Sequence, residues 1–195
     1  MNDIKNLKNE LINISKRCYN RGLTSGAGGN ISVRIPGENK VLVTGTGISF
    51  IDTGLDNIIT VDFDLNVLDG NLKPSKEIKW HCGIFKLRND VGAIVHSHSP
   101  ASTAFSVANK VVPLLTGPIE KTIGKHEVIP YAVPGSDELA GYVLEAFKNQ
   151  SLKVLIMENH GAVAVGKNLT EAYNIADVLE DAAKIAIYKK IIIGS

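Results

Sequence analysis

Apolar residues recur at spacings of three and four through Ile4, Leu7, Leu11, Ile14 and Cys18. That period lines one face of an amphipathic helix, with Gly22 its expected stop. The period then drops to two. Residues 31–35 alternate apolar and polar, Pro36, Gly37, Glu38 and Asn39 turn the chain, and residues 41–44 run back, which predicts a β-hairpin. Residues 60–63 and 66–68 predict another short strand pair. After Pro74 helical spacing returns at Ile78, Cys82 and Phe85, with Ser75 as the expected N-cap. Residues 91–95 and 152–157 are short apolar runs of the kind that form buried strands, the first ending at His96. Residues 128–129 and 162–165 add two short strands. Residues 100–108 predict a helix, and Ser136 opens another that runs to about residue 149. Thr170 is the expected cap of a last helix reaching about residue 192, with Glu171 just inside its start.

Strands and helices interleave, which predicts an α/β layered fold. The early hairpin makes its sheet mixed or antiparallel. No repeat, low-complexity run or linker divides the chain, so residues 1–195 read as a single domain, and a domain of this length buries roughly 70% of its unfolded surface. Composition changes this picture little: 44% hydrophobic and 21% charged residues are ordinary for a globular protein. It does exclude some functions. With 21 Lys and Arg against 20 Asp and Glu, the formal net charge is +1, and no electrostatic footprint for nucleic acid is present. Two cysteines, Cys18 and Cys82, are too few for a disulfide framework or a multi-cysteine zinc site. No signal peptide, transit peptide or bilayer-length apolar run is read from the sequence, so no membrane partner is expected and the cytoplasm is the expected compartment.

Chemistry concentrates at a few places. His96 and His98 flank Ser97 at a strand end, where alternate side chains share a face, so the two imidazoles project together as possible ligands of a borderline metal such as zinc. His160, followed by Gly161 after the other apolar run, makes a three-histidine site possible; solvent-facing loop histidines are the alternative. Glu77 follows Pro74, Ser75 and Lys76 at a helix start. Favourable interaction with the helix dipole explains a carboxylate there, and a base or fourth ligand is the functional alternative. His81 lies on the same helical face, four residues on, and reads as packed within the helix rather than as a ligand. The loops around Gly28, Gly29 and Asn30 and around Gly45, Thr46 and Gly47 offer backbone N–H groups to an anion, as does the helix start at Ser75 and Lys76; ordinary tight turns are the alternative.

Gly28 to Arg34, Thr44 to Ile48, Pro74 to Glu77, His96 to Ser99 and Asn159 to Gly161 occur in one order that resembles the class II aldolase/adducin family, and within it the L-fuculose-phosphate aldolase branch. The resemblance spans nearly the whole chain, from about Leu11 to Tyr188. It implies a three-layer α/β/α domain with a central, mainly antiparallel sheet, assembled as a homotetramer with sites at subunit interfaces. It implies that His96, His98 and His160 hold one divalent ion per subunit, Zn2+ or another such as Co2+ or Mn2+. Glu77 matches the family's acid/base glutamate, which also ligates the metal when substrate is absent. Gly29, Asn30, Thr46, Gly47, Ser75 and Lys76 fall on its substrate phosphate-binding positions. The implied reaction is cleavage of a ketose 1-phosphate into dihydroxyacetone phosphate and an aldehyde, with no nucleotide or organic cofactor.

The chain departs from the branch in places. Lys76 replaces a serine of the phosphate motif. The tyrosine expected after the histidine pair is absent from residues 112–120, where Glu120 is the possible additional acid/base group. The chain also ends without the branch's aromatic tail. L-ribulose-5-phosphate 4-epimerase and methylthioribulose-1-phosphate dehydratase chemistry are alternatives within the family. A non-catalytic, adducin-like interaction module is the alternative outside enzymology, and it has no need of three histidines and Glu77 together.

Overall fold

A computed structural model describes residues Asn2 to Gly194; Met1 and Ser195, included in the expected 1–195 domain, lie outside the described residues. The first helix, α1 (Asn2–Arg21), buries Leu11, Ile14 and Cys18 of its apolar stripe and ends at Gly22, whose φ of +76° suits a residue without a Cβ. The hairpin follows as β1 (Asn30–Arg34) and β2 (Lys40–Thr44), paired antiparallel with Ser32 opposite Val43. Next come β3 (Ile58–Asp62), β4 (Val67–Asp69), α2 (Ile78–Leu87), β5 (Ala93–Ser97) and α3 (Pro100–Val107). The chain continues through α4 (Gly117–Ile123), β6 (His126–Ile129), α5 (Asp137–Phe147), β7 (Val154–Met157), β8 (Gly161–Gly166) and α6 (Leu169–Ile193).

Among the described residues, eight strands form one sheet in the order β4-β3-β2-β1-β5-β8-β7-β6. Among the described residues only the β6–β7 pair is parallel, so the mainly antiparallel sheet is as expected. Side chains alternate across it into two cores. Ile31, Val33, Leu42 and Val95 pack with residues of α1, α3, α4 and α6 on one face. Val41, Val43, Ile94 and Val163 pack with Trp80, Phe85, Leu139 and Val143 of α2 and α5 on the other. This is the three-layer α/β/α arrangement. No helix among the described residues is long and apolar enough to cross a membrane.

Two expected caps are corrected. Ser75 does not cap α2; its Oγ accepts from the Glu77 backbone N–H at 3.2 Å in a turn that delays the helix, and Glu77 becomes the N-cap residue. Thr170 does not cap α6. Asn168 does, accepting from the Glu171 N–H at 2.9 Å, while the Glu171 carboxylate reaches back to the Lys167 N–H at 2.9 Å. The reciprocal pair satisfies two backbone donors at once, which a cap at Thr170 would leave without partners. Helix α4, with Pro118 in its first turn, and the two 3-10 turns at Phe50–Asp52 and Leu55–Asn57 were not expected from spacing, because each is too short to show a period.

Candidate active site and metal centre

The alternation of the sheet decides which residues meet. Asn30 and His96 are register partners across β1 and β5, and Ser32 pairs with Ile94. Ile94 belongs to the core beneath α2, so Asn30, Ser32 and His96 face that helix too. Glu77, at the start of α2, comes down onto this end of the sheet.

His96 lies inside β5 and is fully buried. Its Nδ1–H donates to the Ala162 carbonyl at 3.0 Å, which leaves the Nε2 lone pair facing the site. His98, just past the strand, brings its Nε2 to 2.9 Å from that atom. His160 sits in the tight turn between β7 and β8. Asn159 takes the left-handed conformation there (φ 53°), and Ser106 of α3 clamps the turn by donating to the Met157 carbonyl and accepting from the His160 N–H. Close packing of this turn on the His98 segment requires glycine at 161: a Cβ there would lie 2.4 Å from the Ser97 carbonyl oxygen and 2.7 Å from His98 Cδ2.

The three imidazoles present nitrogen atoms that all lie within 4.8 Å of one another. Glu77 approaches from α2, with Oε2 3.3 Å from His96 Nε2 and Oε1 3.5 Å from His160 Nε2. Glu77 Oε1 and His160 Nδ1 are buried without a hydrogen-bond partner among the described residues. Burial pushes His96 down to about 4, with the Ala162 carbonyl working against it. His98 and His160 are likewise held at about 4, first by burial and then by His96, with Glu77 opposing. All three are therefore neutral at pH 7, the form that ligates a metal. Three neutral imidazoles, one oriented through a backbone carbonyl, and an adjoining carboxylate with a free oxygen are a donor set that fits a borderline divalent ion.

A second device braces the His98 segment. Glu180 of α6 is completely buried, and its carboxylate accepts from the Ala101 and Ser102 N–H groups at 3.1 and 3.0 Å, at the start of α3. Residue spacing carries one sign of it, an acid inside the buried apolar stripe of Ala176, Leu179 and Ala183.

A cavity of about 310 Å3 opens beside the cluster. Its wall includes Gly28, Gly29, Asn30, Thr46, Gly47, Ser75, Lys76, Glu77, His98 and His160, so it gathers all six expected phosphate-binding residues. Gly47 has φ +77°, as a loop that turns its N–H groups to one side requires. His81, read as a packed helix residue, and Glu120, the expected additional acid/base group, are not in this wall. His81 is fully buried under the site and hydrogen-bonded to Ser32 and Asn30. Glu120 is exposed on α4 and does not line this cavity. A larger cleft of about 650 Å3 lies at the opposite end of β1, around Arg34, Lys40 and Asp62, away from the histidines.

Residues 9–187 match the family model described as the class II aldolase and adducin N-terminal domain. The chain belongs to the class II aldolase/adducin family. Among its relatives within that family, the L-fuculose phosphate aldolase of Methanocaldococcus jannaschii is 36% identical over 92% of this chain and 95% of its own length. A 3-oxo-tetronate 4-phosphate decarboxylase of Haemophilus influenzae is also 36% identical, over 91% of this chain and 85% of its own. Among solved class II aldolase structures, an L-fuculose 1-phosphate aldolase superposes with a TM-score of 0.89 at 31% identity, covering 97% of this chain and 88% of the other. Aldolase and decarboxylase are both lyase names, and both describe breaking a bond to carbon.

Proposed function

We propose that this chain is a zinc-dependent class II aldolase that cleaves a ketose 1-phosphate of the L-fuculose 1-phosphate type into dihydroxyacetone phosphate and an aldehyde. The observation that carries this reading is the convergence of Glu77 on the three-imidazole cluster at one end of a cavity lined by Ser75, Lys76 and two glycine loops. A bound divalent ion would act there as a Lewis acid on the substrate's carbonyl and adjacent hydroxyl. The chain's own residues do the rest. Lys76, the Ser75 and Thr46 hydroxyls and the N–H groups around Gly29 and Gly47 bind the phosphate and fix the orientation of the reacting end. Glu77 is close enough to the cluster to deliver a proton to the carbon left electron-rich when the carbon–carbon bond breaks, and to remove it in the reverse direction.

Cleavage to an aldehyde also needs a group that takes the proton of the departing carbon's hydroxyl. Glu120, outside the cavity of its own chain, fills this role in our reading from a neighbouring subunit of a homotetramer. Tyr131 and Val133, exposed next to the cavity-lining Pro134, support such an interface.

A second reading is favoured by the Haemophilus influenzae relative. Loss of carbon dioxide from a 3-oxo-tetronate 4-phosphate leaves the same three-carbon phosphate fragment, and Glu77 protonates the same kind of carbon. No aldehyde leaves, so the tyrosine missing from residues 112–120 is not required. Incubating the zinc-loaded protein with each substrate separates the two. Both yield dihydroxyacetone phosphate, one with an aldehyde and one with carbon dioxide. Formation of triose phosphate from neither substrate would overturn both readings.

A further inference from the structure

The proton-transfer role of Glu77 raises the question of what holds its carboxylate. Oε2 accepts from Asn30 Nδ2 at 2.7 Å, and the same amide reaches Ser75 Oγ at 3.1 Å. An ionised carboxylate only accepts hydrogen bonds. Asn30 must therefore turn its NH2 toward Glu77 and its Oδ1 away. Oδ1 lies 2.5 Å from His81 Nε2, and a carbonyl oxygen only accepts, so Nε2 carries the hydrogen. A neutral imidazole then has a bare Nδ1, which accepts from the Ser32 hydroxyl at 2.6 Å. Each polarity follows from the one before. The chain Ser32, His81, Asn30, Glu77 runs in one direction, with its members buried.

The sheet makes the chain possible. Asn30 and Ser32 are two residues apart on β1 and share a face, and the two nitrogens of one imidazole bridge that spacing. His81 is completely buried against Trp80, with ring centroids 4.0 Å apart. An apolar residue would fill this site without the cost of burying two polar nitrogens. We infer that His81 is a positioning residue for Glu77. It donates to Asn30 Oδ1 and so locks the amide with its NH2 toward the carboxylate. Without that donor the amide is free to rotate and set its oxygen against Glu77, where two acceptors repel. Asn30 thus works chiefly on Glu77, since its amide hydrogens and its oxygen are already engaged.

This inference rests on the proposed role of Glu77, and its test is built to fail separately. The full chain, labelled with 15N-histidine and stripped of metal by a chelator, is examined by NMR at neutral pH, with His81→Gln assigning the ring. The expected result is the tautomer with hydrogen on Nε2. Hydrogen on Nδ1 would overturn the inference whether or not any sugar phosphate turns over. With zinc restored, exchange of the dihydroxyacetone phosphate carbon-bound proton is followed in deuterated water. His81→Leu is expected to slow exchange at saturation about 10-fold or more, with KM changed less than about 2-fold. His81→Gln, whose amide N–H reaches the place of Nε2–H, is expected to keep most of the rate. Equal losses in both variants, or a loss confined to KM, would mark His81 as a packing residue and overturn the inference.

Discussion

Removing the Glu180 carboxylate tests how α3 and the histidine segment before it are held. Ser99 is the N-cap residue of α3, yet its side chain makes no capping bond; its hydroxyl pairs with Ser102 Oγ at 2.7 Å. The first N–H groups of the helix rely instead on a carboxylate from α6, nearly eighty residues away. Hydrogen bonds to a charged group contribute about 1.5–3 kcal/mol each, and Glu180 accepts two of them from backbone donors. Its third partner, Lys184 at 3.3 Å, is one-third exposed and adds little. Glu180→Ala leaves two buried backbone donors unpaired, at about 1–3 kcal/mol each, and a void, so the expected loss is about 3–5 kcal/mol. A domain of this length shifts its melting midpoint by about 2–4 °C per kcal/mol, which makes the expected fall roughly 6–20 °C. Glu180→Gln keeps the shape but sets an NH2 against one backbone N–H, and should fall about half as far. Thermal and urea unfolding of the metal-free protein measure both. Zinc titration should show Glu180→Ala binding about 10-fold more weakly, because His98 is the second residue before α3. A midpoint within about 2 °C of the parent chain would refute the capping argument.

Three other outcomes are expected. His160→Ala should strip the zinc and abolish turnover; one equivalent of zinc retained by elemental analysis would remove His160 from the site. Glu77→Gln should leave zinc and phosphate binding largely intact while slowing carbon-bound proton exchange by about 10²–10⁴-fold, and unchanged exchange would move the base elsewhere. Acid should weaken the metal-free fold early. His96, His98 and His160 are held at about 4 in the folded chain, below their unfolded value of 6.5. The unfolded chain therefore binds more protons between these limits, and stability falls as pH drops from about 6.5 toward 4. Urea midpoints at pH 7 and pH 5 measure the fall, and equal midpoints would contradict it.

Local physics wrote much of this protein legibly. The spacing of Leu11, Ile14 and Cys18 determined α1, and its stop was readable because Gly22 tolerates a positive φ. The hairpin followed from alternation and a turn, and the α/β layering from the interleaving of elements; the three-layer arrangement came with the family resemblance. His96 and His98 were readable as convergent because alternate residues share a face along an extended chain. The family and the set of candidate site residues were legible only as ordered motifs, since each motif alone suits an ordinary turn.

Tertiary structure decided what depends on distant partners. Nothing near Glu77 in sequence says that its side chain turns from the helix start toward His96 on β5 and His160 in the turn before β8. His81 showed a helical neighbour of Glu77, but its partners Ser32 and Asn30 lie 49 and 51 residues away. Glu180 caps a helix across 78 and 79 residues. Hydrophobic periodicity reports only which face of an element is buried. The polar groups buried with that face must find hydrogen bonds wherever the folded chain supplies them, and here those long-range bonds aim the carboxylate and brace the histidines.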